Sequence, residues 1–185
     1  VVADRIDGVE TRQLNLSQTF GETDFLASLD ELIAVCPNLK QVALVVTWFG
    51  NDLRAGHCEI YPAVETASRN LVQGEGWQVA GLERSQARLV SQVDGSPNYG
   101  GTPSDGSVLR AIAAIKSRGL KVCLNPFILM DVAPENELPD PYTDGTQSAF
   151  PWRGRISCTP AIGRIGTVDK TSASRVQIGA FLGAS

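Results

Sequence analysis

The chain has 185 residues, of which 43% are hydrophobic and 19% charged, and its formal net charge is −4. Such a composition is typical of a globular protein that buries one core. No cluster of Lys and Arg indicates nucleic-acid binding, and no run of about 20 apolar residues indicates a membrane span. The first residue is Val1 and no signal peptide follows it, so we expect a processed or cut start.

The cysteines are widely spaced and form no C-x-x-C pair: Cys36, Cys58, Cys123 and Cys158. Their spacing matches neither a zinc site nor a small disulfide scaffold. Cys123 falls within an apolar strand pattern, where buried free thiols are common. We therefore expect reduced thiols, and no metal or cofactor.

Residues 1–21 show no clear periodicity and are predicted to be a leading segment or linker, ahead of a domain over residues 22–185. The first helix is predicted from about Asp24 to Cys36, with Thr23 as its cap and Pro37 as its stop. Its apolar residues recur on one helical face, as expected for a buried stripe: Phe25, Leu26, Leu29, Leu32, Ile33 and Cys36.

A β-strand is predicted over residues 41–48, where β-branched and apolar side chains follow each other almost without interruption. Such a strand is typically buried on both faces, as in a parallel sheet. A polar loop follows at residues 50–59. In the Gly- and Pro-containing stretch 60–100, a short strand is expected at 77–80 and either a helix or further strand at 84–93. A stretch of this length indicates an elaborated loop.

The second helix is predicted to start with Thr102 as N-cap and Pro103 in its first turn. Its buried stripe comprises Val108, Leu109, Ile112 and Ile115. Gly119 fits the left-handed residue that ends a helix. A strand over residues 120–125 follows and is closed by Pro126. A helix, a Gly turn and an apolar strand together form the half-unit of an α/β fold.

Residues 130–170 are predicted to be irregular because prolines recur through them. A last helix is predicted over residues 171–182, with a buried face of Ala173, Val176, Ala180 and Phe181. The pattern thus gives two parallel strands and three helices. Two strands neither close a barrel nor make a stable open sheet, so we expect partner strands elsewhere, most simply beyond residue 185.

Several long segments resemble one family: residues 45–58 (VVTWFGNDLRAGHC), 98–105 (NYGGTPSD), 118–127 (RGLKVCLNPF) and 150–156 (FPWRGRI), with shorter pieces at 138–142 and 169–171. The chain resembles the glycoside-hydrolase-like TIM-barrel domain of gene transfer agent and phage tail proteins, the host-specificity proteins of the baseplate. The similarity extends from about residue 22 to the end of the chain.

The resemblance implies an α/β fold that is the N-terminal portion of a (β/α)8 TIM-like barrel, with long βα loops and incomplete in this chain. It also implies a place in a large baseplate protein at the tail tip of a virion assembled in the bacterial cytoplasm. Its partners would be other tail proteins, the rest of its own polypeptide and host envelope glycans. The carboxylate expected as the acid in such barrels would lie on a later strand.

Barrel enzymes place their chemistry at the carboxyl ends of the strands, and glycoside hydrolysis needs two carboxyl groups flanking the scissile bond. Asp52, Glu59 and Asp131 are the acids nearest the predicted strand ends, and Trp48 offers a flat face to a sugar ring. The alternative is a core position for Trp48 and a role as loop caps or Arg partners for the acids. We favour that structural alternative, so no catalytic pair is assigned.

The loop containing Trp152, Arg153 and Arg155 joins an aromatic ring to two cations. It either grips an anionic glycan or a neighbouring subunit, or is pinned to the domain by Arg–carboxylate pairs. His57 is the only histidine, and together with Cys58 it supplies too few ligands for a metal.

Two functional hypotheses arise from the residues and the resemblance together. In the first, the domain is a structural and host-contact module of the tail tip, with little or no catalysis. In the second, it is an active glycoside hydrolase that degrades a surface polysaccharide or peptidoglycan. Fold alone does not distinguish them. We prefer the first because no carboxylate pair is compelling and the loops are long for a simple enzyme.

Overall fold

The structure of the protein is a computed structural model, which describes residues 2–6, 10–20, 22–151 and 155–183. The chain divides into two compact units. Unit one comprises Val1–Val46, Val64–Leu89 and Thr102–Pro126, and unit two comprises Thr47–Ala63, Val90–Gly101 and Phe127–Ser185.

Three helices and twelve strands occur among the described residues. The helices are α1 (Asp24–Val35), α2 (Asp105–Ser117) and α3 (Ser172–Phe181), with a 3₁₀ turn at Arg84–Gln86. The strands are β1 (Ala3–Ile6), β2 (Glu10–Gln13), β3 (Gln41–Gly50), β4 (Ile60–Tyr61), β5 (Ala63–Val64), β6 (Leu71–Gln73), β7 (Gln78–Val79), β8 (Leu82–Glu83), β9 (Arg88–Leu89), β10 (Gln92–Val93), β11 (Ser96–Pro97) and β12 (Lys121–Met130). None of the described helices has the length and apolarity needed to cross a bilayer.

The core of unit one is formed by the two amphipathic helices that the sequence predicts. Leu29 of α1 packs with Ile115 of α2 and with Leu120, and Val42 and Leu44 of β3 cover this cluster. Each helix begins at a side-chain cap, because Thr23 accepts the Leu26 N–H in α1 and Ser104 accepts the Ser107 N–H in α2. The cap of α2 is therefore Ser104 and not Thr102, which is buried.

Unit one also contains a small antiparallel sheet in the order β2-β1-β6, built partly from the predicted leading segment. A β-hairpin of β7 and β8 turns through Ala80 and Gly81, whose φ angles are 50° and 82°. Two consecutive positive φ angles give the turn whose twist matches paired strands. Gly119 has a φ of 76° and ends α2 as predicted.

The longest sheet has the order β12-β3-β4. The Lys121 N–H donates to the Lys40 carbonyl at 3.0 Å, and the Asp131 N–H donates to the Gly50 carbonyl at 2.8 Å. Both bonds join residues 81 positions apart, so β3 and β12 run parallel in one continuous register. The end of β3 pairs antiparallel with β4, where Phe49 faces Tyr61.

Unit two has two apolar clusters. Phe49, Ala63 and Val90 form the first, and the second contains Leu53, Cys58 and Met130, with Phe181 of α3 packed against it. Of the predicted buried face of α3, Phe181 is half-buried, whereas Ala173, Val176 and Ala180 are exposed, so this prediction is largely wrong. Gln177 lies on the packed side instead, because its side-chain amide exchanges hydrogen bonds with the backbone of Thr159.

The predicted barrel portion is wrong. The described residues form one mixed sheet of three strands and several sheets of two or three short strands, with three helices. After β3 the chain turns back into the antiparallel strand β4 instead of crossing over to a parallel neighbour. An alternating series of parallel strands and helices is therefore not observed in the described part of the chain.

Two predictions about the long strands are also wrong. β3 alternates between exposed and half-buried residues over most of its length, and β12 is largely exposed from Lys121 to Phe127. Neither strand is buried on both faces, and Cys123 is exposed. In addition, β12 does not end at Pro126 but continues to Met130.

Candidate functional site

The two acids that follow the parallel strands β3 and β12 are both buried in unit two. Asp52 lies two residues beyond β3 and is 4% exposed, and Asp131 lies directly beyond β12 and is 8% exposed. Parallel strands that share one register end at the same edge of a sheet. The Asp131 N–H accordingly bonds to Gly50, two residues before Asp52.

Asp52 is held by Arg54 on both of its carboxylate oxygens. The Arg54 Nε donates to Oδ1 at 3.0 Å and Nη2 donates to Oδ2 at 2.6 Å. The Arg54 backbone N–H adds a third bond, to Oδ1 at 2.8 Å. A bidentate Arg–carboxylate pair is among the stronger polar interactions in proteins.

Gln147 completes this arrangement from a distant part of the chain. It is 2% exposed, and its Nε2 donates to Asp52 Oδ1 at 2.7 Å and to the Pro139 carbonyl at 3.1 Å. Its Oε1 accepts the Leu53 N–H at 2.9 Å. The side chain therefore ties the loop after β12 to the loop after β3. We refer to Asp52, Arg54 and Gln147 as the Asp52 network.

The Asp52 network keeps the acid ionised. Burial by itself would raise the pKa of Asp52, but the hydrogen bonds from Arg54 and Gln147 and the charge of Arg54 outweigh burial and hold that pKa below its ordinary value. The same contact raises the pKa of Arg54. A carboxylate that is ionised and bonded on both oxygens is poorly suited to act as a general acid or as a nucleophile.

Asp131 differs from Asp52 because one of its oxygens has no hydrogen bond from the described residues. Oδ2 accepts the Ser91 N–H at 2.9 Å. Oδ1 is buried and lacks a partner in the described part of the chain. A buried acceptor without a partner is uncommon in folded proteins and marks a place where a further donor would be favourable.

Tyr99 lies beside Asp131. Its hydroxyl donates to the Met130 carbonyl at 3.2 Å. Its ring centroid is 5.8 Å from that of Phe49 and 6.2 Å from that of Phe150. Burial and, second, the negative charge of Asp131 raise the pKa of Tyr99 to about 12. The phenol is therefore neutral at physiological pH and works as a fixed donor on the backbone.

The other predicted site residues belong neither to the Asp52 network nor to the contacts of Asp131. Trp48 is half-buried within β3, and His57, Glu59 and Arg155 are exposed. The Glu59 backbone N–H donates to the Asn51 side chain, and the Arg155 carbonyl accepts the Tyr142 hydroxyl. Trp152 and Arg153 lie outside the described residues. In the described part of the chain, His57 and Cys58 are not joined by further ligands into a metal site.

Two residues of this region were not found from the sequence. Gln147 is one polar residue in a Pro-rich loop, and nothing local indicates that it reaches Asp52. Tyr99 falls in one of the segments that carry the family resemblance, but no pattern in that segment predicts its bond to Met130. Both roles depend on contacts between residues that are 31 or more positions apart in the sequence.

Unit one contains two concave surfaces that were not predicted. The larger has a volume of about 710 Å³ and lies against α1, α2 and β3, with mostly apolar walls that include Phe25, Leu26 and Val108. The smaller has a volume of about 590 Å³ and a more polar lining, which includes Arg69, Trp77 and Arg84. Both volumes are in the range of small-molecule sites.

Comparison with known proteins adds no assignment. No family model matches this chain, and no curated protein is significantly similar to it.

Proposed function

We propose that the chain is a structural and host-contact module of a phage or gene-transfer-agent tail tip, without glycosidase activity of its own. The assignment to a tail tip rests on the segments that resemble tail proteins, above all residues 45–58 and 118–127. In the folded chain these segments supply parts of the strands β3 and β12 and the loop that carries Asp52.

The saturation of Asp52 is the observation that favours a module without catalysis. Hydrolysis of a glycosidic bond needs two available carboxyl groups, one on each side of the bond. Of the two strand-end acids, Asp52 is bonded on both oxygens to Arg54 and Gln147. Asp131 alone does not make a pair. The same bonds fix two long loops, which suits a rigid contact surface.

The location is tested in particles produced by the source bacterium. An epitope-tagged copy of the full chain is expressed, and particles are separated from soluble protein on a density gradient. We expect the tag to sediment with intact particles and to be labelled at one end of the tail by electron microscopy. A tag that stays with soluble protein while particles form normally would refute the tail-tip assignment.

An active glycoside hydrolase is the second candidate, and the observation that favours it is that Asp131 Oδ1 has no hydrogen-bond partner among the described residues. The two functions are separated by incubating the purified chain with host envelope and measuring released reducing sugar. We expect no release above that of buffer. Release that the variant Asp131→Asn abolishes, but that Asp144→Asn leaves intact, would favour the hydrolase. Asp144 is a suitable control because its side chain is 94% exposed.

A further inference from the structure

The smaller concave surface of unit one has the features of a binding site for a polar ligand. This cleft has a volume of about 590 Å³. Its lining combines one aromatic ring, two arginines and several small or polar residues: Ala67, Ser68, Arg69, Leu71, Gly76, Trp77, Gln78, Glu83, Arg84 and Ser85. Concave sites with an aromatic wall and a few placed polar groups are typical of small-molecule binding.

One wall of the cleft is a fixed stack of Arg84 on Trp77. The Trp77 indole N–H donates to the Thr102 carbonyl at 2.6 Å, which sets the orientation of the ring. The Arg84 guanidinium carbon lies 5.9 Å from the ring centroid, and Arg84 Nη1 donates to the Thr66 carbonyl at 3.1 Å. The wall is therefore rigid before any ligand arrives, which lowers the entropic cost of binding.

The charges around the cleft are already balanced. Arg69 is paired with Glu65 and lies 3.7 Å from Asp4, and Arg84 reaches the other oxygen of Glu65 at 3.4 Å. Two cations thus face two carboxylates. Burial by itself would raise the pKa of Glu65, but a backbone hydrogen bond and the contacts with Arg69 and Arg84 together lower it. Glu83 adds a further negative charge at the lining. An anionic ligand would meet no unpaired cation in this group, so the balance favours a neutral ligand.

The polar residues of the lining can both donate and accept hydrogen bonds. Ser68 and Ser85 carry hydroxyl groups and Gln78 carries an amide, and each of these groups offers a donor and an acceptor. A ligand rich in hydroxyls therefore fits this lining better than one with only donors or only acceptors.

We propose that the cleft binds an uncharged sugar unit of an envelope glycan. The ligand class rests on the proposed host-contact function, whereas the choice of the cleft rests on its lining alone. A sugar ring presents hydroxyls to the polar lining residues and an apolar face to Leu71 and the Arg84–Trp77 wall. The lining residues belong to unit one and include neither Asp52 nor Asp131.

The test is a titration of the full chain with neutral trisaccharides of glucose and of N-acetylglucosamine, followed by calorimetry. A trisaccharide of galacturonic acid serves as the anionic probe. We expect saturable binding of at least one neutral probe with a Kd of about 1 mM, and weaker binding of the acidic one. The variant Arg84→Gln should raise the Kd at least about tenfold. The Kd values of the folded variant and the folded parent chain are compared, so that weaker binding is not confused with unfolding.

Two further variants guard against a folding artefact. Gly76→Leu adds bulk at the lining of the cleft, and its Cβ causes no clash, because a Cβ at Gly76 meets no heavy atom within 4 Å. It should abolish binding at an unchanged thermal midpoint. Arg110→Gln removes an arginine paired with Glu75 outside the cleft, and it should bind as the parent chain does. Unchanged binding by Gly76→Leu, or the absence of binding by every neutral probe at about 10 mM, would overturn the proposal.

The result also separates the two proposals. A chain that sediments with particles but binds no neutral probe refutes the sugar cleft and leaves the tail-tip assignment standing. A chain that binds a neutral probe through the cleft but stays with soluble protein supports the cleft and refutes the tail-tip assignment.

Discussion

At the scale of single residues, the Asp52 network shows how a buried charge is compensated. Asp52 and Arg54 leave only 5% and 16% of their side chains exposed, and transfer of such charges out of water costs several kcal/mol per ion. The two fixed bonds from the guanidinium and the bond from Gln147 offset that cost. Removal of one partner of the Asp52 network should therefore lower the free energy of unfolding more than removal of the whole network would.

We predict that Asp52→Asn destabilises the fold by about 3 kcal/mol, because it leaves the Arg54 charge without a counter-ion. The NH₂ group of the asparagine would also face the N–H donors of Arg54 or Gln147, and two donors form no hydrogen bond with each other. The measurement is the free energy of unfolding in urea. Asp144→Asn is the matched control, since it removes a carboxylate from an exposed pair with Arg164 and should change the midpoint much less. Equal effects of the two substitutions would contradict the prediction.

The stabilisation by Asp52 should also depend on pH. Its pKa is lowered in the folded state, so the stabilisation is fully present above the pKa of the unfolded chain, about 3.9. It is lost as the pH falls from that value through the folded-state pKa. The difference in unfolding free energy between the parent chain and Asp52→Asn should stay constant between about pH 7 and 5 and shrink below about pH 4. A difference that grows on acidification would mean that the pKa is raised instead.

The positions of the two acids were predictable from the sequence, but their roles were not. A carboxylate that follows an apolar strand is placed at the strand end by the strand itself, and this holds for Asp52 and Asp131. Their partners are fixed by the fold: Gln147 is 95 residues from Asp52, and Ser91 is 40 residues from Asp131. Only these partners show that Asp52 is saturated, while one oxygen of Asp131 has no partner in the part of the chain that the structure describes.

At the scale of elements, β12 is an edge strand among the described residues, and its outer edge is interrupted by a proline. The bonds from Lys121 and Asp131 to β3 show that odd-numbered residues direct their N–H groups toward β3. Even-numbered residues therefore direct theirs to the other edge, because successive residues of a strand alternate. Pro126 lacks an N–H, but no bond to β3 is lost, because an even-numbered residue of β12 does not direct its N–H toward β3. Pro126 does remove a donor from the middle of the outer edge, and such gaps discourage edge-to-edge pairing.

We predict that Pro126→Thr increases self-association through β12. The substitution restores a backbone donor on an edge whose side chains Leu124 and Phe127 are 51% and 40% exposed. Sedimentation velocity should show dimers or larger species at concentrations where the parent chain is monomeric. Asn125→Thr is the control, because it adds the same side chain where the N–H already faces β3. The same sedimentation behaviour in both variants would exclude a role for the restored donor.

The bounds of the helices, which depend on local patterning, were predicted well. Their apolar stripes are buried only in part, because Phe25, Leu32 and Leu109 are 40%, 38% and 66% exposed. The other errors occur where long-range pairing decides. The spacing of Phe25 to Cys36 predicts α1, and the left-handed Gly119 marks the end of α2. Pro126 wrongly predicts the end of its strand, because the side of β12 that faces a neighbour is not visible in the sequence. The exposure of Val176 has the same origin, since Gln177 is drawn to the packed side of α3 by the backbone of Thr159.

At the scale of the whole molecule, hairpins account for the difference from the expected barrel. A helix, a Gly turn and a strand are compatible with any α/β fold, and this local unit does not determine which element comes after β3. Short positive-φ pairs, Ala80–Gly81 and Asp94–Gly95, instead reverse the chain within a few residues. Their strands pair with their own neighbours in sequence. The result is several small antiparallel sheets in addition to one parallel pair.

The surface of the whole chain combines a small net charge with exposed apolar side chains. This combination predicts how the solubility of the chain changes with pH. Ile165 is fully exposed and Leu182 is 73% exposed, while the net charge of −4 falls to zero near the pI of about 5.0. Charge repulsion then no longer opposes apolar association. Light scattering should therefore be greatest near pH 5.0 and fall toward neutral pH.

Two variants with the same charge change distinguish charge from apolar exposure. Ile165→Glu adds one negative charge and removes the most exposed apolar side chain, whereas Ser148→Glu adds the same charge at an exposed polar position. At any one pH, Ile165→Glu should reduce light scattering more than Ser148→Glu does. If the two variants scatter equally, net charge alone controls association and the exposed apolar residues of this chain do not attract each other in solution.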